Sequence, residues 1–215
     1  MMVDMDLLVR QVTVYALPVL LAITVHEAAH AYAARLFGDN TAYLQGRMTL
    51  NPLKHIDPIG TILLPLVCLW AGGFVFGWAK PVPVNFGGLR KPRQHMRWVA
   101  AAGPLANFAM MIAWTLLLKL ALAGTGGGYG EPLALMSKAG IAINLSLMLL
   151  NLLPILPLDG GRILYSLLPA GMAWRYAATE NYGMVILMVL IVSGLLGTIL
   201  QPFYVLMYHL LQLFF

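Results

Sequence analysis

The chain has 215 residues, 60% of them hydrophobic and only 10% charged, with a formal net charge of +5. A soluble domain usually carries about 25% charge, and a disordered chain has little apolar content, so both classes are excluded. One cysteine, Cys68, excludes an internal disulfide framework and a multi-cysteine metal site, and the basic excess lacks the interleaved aromatics of a nucleic-acid surface.

Crossing a bilayer takes about 20 apolar residues, and five stretches approach that length. The first covers about residues 7–37. It follows Asp4 and Asp6 instead of a basic segment, and no small-residue cleavage site closes it, so it reads as a retained membrane helix and not a signal peptide. Within it lies His26-Glu27-Ala28-Ala29-His30. Residues i and i+4 share a helix face, so both imidazoles reach one metal ion. Glu27 is turned by about 100° from His26, close enough to meet a water held there. Zinc suits two imidazole nitrogens with one position left open for water. It lowers that water's pKa and polarises a carbonyl, while Glu27 takes the proton and passes it to the leaving amine. In a soluble helix two core histidines would explain the pattern equally well; inside an apolar span each ionisable group is expensive and points to function.

The second stretch covers 59–78, the third about 96–123, and the fourth about 133–153. The last covers about 182–215 and is long enough to break near Gln201-Pro202. None alternates as a barrel strand does. The chain therefore reads as an all-α polytopic membrane protein, with residues 1–215 a single integral-membrane domain. Its core is about three transmembrane helices around a zinc site, joined by a re-entrant segment and one or two C-terminal membrane helices. Eight of the thirteen basic residues lie between Arg35 and Arg97. The acid-free stretch from Lys80 to Arg97 is the clearest cytoplasmic marker.

A catalytic zinc needs a third protein ligand, and eight acids limit the choice. Asp4 and Asp6 precede the first helix, Asp39 follows it, and Glu131 and Glu180 lie in polar connections. Asp159 follows the fourth span in a segment broken by Pro154, Pro157, Gly160 and Gly161. Irregular backbone at membrane depth is tolerated where it lines a cavity, which makes Asp159 the best candidate. His55 and Asp57 are rivals, although a turn cap before Pro58 explains them too.

Three motifs, in this order, carry a family resemblance: HEAAHAYAARLFGD at 26–39, AAGPLANF at 101–108 and NLLPILPLDGGRIL at 151–164. Together they resemble the site-2 protease family of intramembrane zinc metalloproteases. NPLKHIDPIGT at 51–61 and GWAKPVPVNF at 77–86 are similar to its short bacterial and archaeal branch, without a PDZ-like insert or an appended regulatory domain. The resemblance implies His26, His30 and Asp159 as Zn2+ ligands and Glu27 as catalytic base. It also implies that Asn151 lies near the site and holds substrate backbone or an oxyanion. Gly103, Pro104 and Asn107 match the middle core helix; small residues there equally serve close helix packing, but Asn107 is polar inside an apolar span. The implied substrates are protein transmembrane segments in a cell membrane, with no nucleic-acid partner.

His26 lies near the C-terminal end of its helix and Asp159 follows the C-terminal end of its own, so these helices must run in the same direction to meet. One of the two intervening stretches then fails to cross. The 59–78 stretch contains Pro65, Gly72 and Gly73 between basic flanks, and is expected to form a re-entrant hairpin returning to the cytoplasmic side, with an ordinary spanning helix as the alternative. Residues 41–49 are a loop or a short edge strand to which an extended substrate adds. Two other functions fit the composition: a zinc-binding scaffold, which would not need Glu27, and a cation transporter, for which no internal repeat is found.

Overall fold

A computed structural model describes residues 5–63, 67, 77, 79–124 and 129–213, with side chains from Thr13 onward except Ile62. Helix α1 is Met5–Leu36. It stops where Gly38 takes φ +111°, a left-handed conformation natural to glycine, and the Asp39 N–H turns back to the Ala34 carbonyl at 2.9 Å. A single turn, α2, is Thr41–Leu44. Helix α3 is Pro92–Leu122, with proline in its first turn, where the missing N–H costs nothing. Helix α4 is Gly130–Asn151. Residues Thr13–Leu36 of α1, with α3 and α4, are long and apolar enough to cross a membrane.

Short helices follow: α5 Asp159–Leu167, α6 Ala170–Ala177, α7 Glu180–Val192 and α8 Leu195–Gln212. The last two meet at 81° and together form either a broken span or a re-entrant pair. Their break is at Ser193-Gly194, not near Gln201-Pro202 as the sequence suggested. Gly194 adopts φ +74°, the usual left-handed helix terminator. Pro202 stays inside α8; its ring fixes φ in the helical range, although it removes one hydrogen-bond donor and crowds the carbonyl one turn earlier.

Contacts fix the directions of the three long helices. His30 meets Val99 and the Ala22 carbonyl meets Asn107, so α1 and α3 are antiparallel. Asn107 meets Asn144, and Trp114 lies flat against Gly140, where any Cβ would strike its ring. Thus α3 and α4 are antiparallel too, and α1 runs parallel to α4. The apolar core lies between α3 and α4 around Met111, Leu145 and Leu149, closed by Leu187 of α7 and Leu200 of α8.

The connection from α1 to α3 returns to the end it left: the Arg90 N–H donates to the Phe37 carbonyl at 2.9 Å. Within it, the Lys80 N–H donates to the His55 carbonyl at 2.9 Å, so the two flanks of the 59–78 stretch are neighbours. The course between them is mostly outside the described residues, and with it the depth of the expected hairpin. Residues 58–63 form one turn of π-helix. The 41–49 segment forms α2 and a loop, and no strand occurs among the described residues. Asp39 favours the turn, because its carboxylate accepts from the Thr41 backbone and side chain and holds them as a helical start.

Candidate metal centre

The helical repeat of α1 stacks His26 and His30, and their Nε2 atoms lie 3.0 Å apart. Asp159 Oδ2 lies 3.4 Å from His26 Nε2 and 3.3 Å from His30 Nε2. Among the described residues, this is the one group of three metal-binding side chains close enough to share an ion.

The outer atoms of both rings are held. His30 Nδ1 lies 2.8 Å from the Val99 carbonyl, which only accepts, so the network assigns the proton to Nδ1. His26 Nδ1 lies 2.6 Å from Asn107 Oδ1 and takes its proton by the same logic. Both Nε2 atoms then carry lone pairs, and two lone pairs cannot hydrogen-bond to each other at 3.0 Å. Asp159 Oδ2 is buried without a hydrogen-bond partner. Two lone-pair nitrogens and an orphaned carboxylate oxygen therefore face one point, which suits a cation. Tetrahedral zinc with ligands at about 2.0–2.1 Å sets neighbouring ligand atoms about 3.3 Å apart, close to the 3.0, 3.3 and 3.4 Å found. The donor set fits Zn2+.

Glycines allow this closeness. A Cβ on Gly103 would lie 2.6 Å from His26 Nε2 and collide with His30 Nε2, so only glycine lets α3 pass beneath the pair. Asp159 opens α5, which folds back on the loop that delivers it: Cβ atoms on Gly160 and Gly161 would strike the backbone of Leu152 and Ile155. From the other side, Gly183 of α7 presses on the Leu156 carbonyl.

Glu27 stands apart from the three donors. Its Oε2 accepts from the Val82 N–H at 2.7 Å, which ties it to the irregular 79–84 segment. Asn151 donates through Nδ2 to the Leu147 carbonyl of its own helix at 3.0 Å. His55 and Asp57 are not at the centre. His55 Nε2 lies 3.0 Å from the Thr49 carbonyl, and Asp57 caps the turn at Ile59 and Gly60. The Val82 N–H and Asn144 were missed from sequence. Asn144 carried a signal, a polar side chain inside an apolar span, whereas a backbone N–H carries none.

The chain is 42% identical over 191 residues to a Bacillus subtilis protein named "Putative zinc metalloprotease YwhC", covering 85% of this chain and 82% of that one. The model of peptidase family M50 matches residues 129–194. The chain belongs to peptidase family M50. Proteins named "Putative zinc metalloprotease Rip2" from Mycolicibacterium smegmatis and Mycobacterium tuberculosis are 31% and 30% identical, each over 83% of this chain. The chain spans 66% of the length of each. No solved structure gives a significant match. As an M50 member the chain is a metalloprotease, and its long apolar helices fit a multi-pass membrane protein.

Proposed function

We propose that this protein is an intramembrane zinc endopeptidase that hydrolyses peptide bonds in or near transmembrane segments of other proteins. In this reading His26, His30 and Asp159 hold the ion and Glu27 is the general base. The observation that carries it is the convergence of two Nε2 lone pairs and an unpartnered carboxylate oxygen beside an apolar helix.

Zinc in that site supplies Lewis acidity to the scissile carbonyl and acidifies the attacking water. Glu27 accepts that water's proton and returns it to the leaving amine. The Val82 N–H occupies Oε2 and leaves Oε1 to turn toward the water. Asn151 has a second amide proton beyond the one given to Leu147, and with it holds substrate backbone or the developing oxyanion. A substrate helix hides its carbonyls in i to i−4 bonds, so it must unwind locally, which favours helix-breaking residues at the cut. The site opens toward the cytoplasm, because the shared end of α1 and α3 carries Arg35, Arg90, Lys91 and Arg93.

The test is cleavage of a single-span substrate by purified protein, wild type beside Glu27→Gln. Glu27→Gln should keep its zinc and lose at least about 100-fold in rate, as removal of a general base does. Cleavage at the wild-type rate would remove Glu27 from the chemistry.

A further inference from the structure

Two asparagines, Asn107 of α3 and Asn144 of α4, are each 0% exposed in the middle of apolar helices. A buried amide costs free energy unless every polar atom is matched, and polar groups at this depth point to function. Asn144 touches none of the three candidate ligands, yet its bonds lead to one of them. Its Nδ2 donates to the Gly140 carbonyl at 2.8 Å. A carbonyl only accepts, so Asn144 must turn Oδ1 the other way. There Oδ1 receives Asn107 Nδ2 at 2.9 Å. Asn107 Nδ2 also reaches the Ala22 carbonyl at 3.2 Å. With both amide protons of Asn107 spent, its Oδ1 is left facing His26 Nδ1 at 2.6 Å. Each bond fixes the sense of the next.

We propose that Asn144 is a positioning residue for the metal centre: through Asn107 it fixes the His26 tautomer with Nδ1 protonated, so that the Nε2 lone pair faces the ion. It also joins α4, the helix leading to Asp159, to α3. His30 needs no such relay, because Val99 offers a backbone carbonyl directly. Outer partners of this kind typically change metal affinity 10–100-fold when removed, about the range expected here. The inference rests on the reading of His26 as a ligand, and the experiment separates the two.

Zinc affinity of the full chain in detergent is measured by chelator competition for wild type, Asn144→Leu, Asn144→Asp and His26→Ala. Asn144→Leu is near-isosteric but removes the acceptor, and should weaken zinc binding at least about 10-fold. Asn144→Asp, neutral at this depth, can donate to Gly140 and accept from Asn107, and should stay within about threefold of wild type. His26→Ala should lose more than either. If His26→Ala binds zinc as wild type does, the ligand reading fails. If His26→Ala loses zinc while Asn144→Leu keeps it, only the positioning role fails, and equal losses in the Leu and Asp variants also overturn it. A second readout needs no variant. Imidazole 15N shifts of the metal-stripped wild type, with the ring neutral, should show His26 protonated at Nδ1. Protonation at Nε2 would overturn the proposal outright.

Discussion

The two segments that supply the candidate metal centre are built in opposite ways. His26 and His30 stand on an unbroken 32-residue helix, one turn apart, and their spacing follows from the helical repeat alone. Asp159 stands at the start of a nine-residue helix after a loop with no regular repeat. Its place comes from close backbone contacts at Gly160, Gly161 and Gly183. The histidine side is set by periodicity and the aspartate side by packing, so they should fail differently.

Gly103→Ala should separate them most sharply. Alanine in a helix interior is favoured over glycine by about 1 kcal/mol, so helix content and folding should persist. The new methyl group would enter the space between the two Nε2 atoms, and zinc affinity should fall by at least about 100-fold, the upper end for changes around a metal's ligands. Helicity by circular dichroism and zinc by metal analysis read the two effects separately. A folded Gly103→Ala protein with full zinc would mean that α3 does not lie against the pair.

Gly183→Ala acts on the packed side and should lose both properties together. Its methyl group would overlap the Leu156 carbonyl, which forces α7 off the loop at about 1–3 kcal/mol, the usual range for overpacking. A lower unfolding midpoint and a zinc affinity reduced about tenfold should appear together. Unchanged zinc binding at lowered stability would show that α7 does not support Asp159. The smallest effect belongs to Arg162→Ala. Arg162 pairs with Glu180 at 3.1 Å and joins α5 to α7, but Glu180 is 44% exposed. Such pairs contribute about 0.2–1 kcal/mol, so the melting midpoint should barely move and zinc should stay bound. A large loss would place this pair among the supports of the loop.

The same contrast explains what could be read from sequence. The three long helices were legible because each needs only length and apolarity, and α1, α3 and α4 lie close to the expected 7–37, 96–123 and 133–153. The HExxH pair was legible from its repeat. Asp159 could be nominated because acids are few, but nothing local showed how it reaches His26. The break between α7 and α8 was misplaced because Pro202 is the louder signal, whereas the left-handed turn at Gly194 decides it. The helical turn at 41–44 depends on the Asp39 carboxylate, a contact that pattern alone does not weigh. The Glu27–Val82 bond links residues 55 positions apart through a backbone N–H that has no sequence signature.

The most direct test of the three-donor centre is zinc content of the detergent-purified chain, wild type beside Asp159→Ala. The convergence of His26, His30 and Asp159 predicts about one zinc per wild-type chain, as in a three-ligand catalytic site, and almost none in the variant. An Asp159→Ala protein that folds and keeps its zinc would place the third ligand elsewhere and contradict the centre described above.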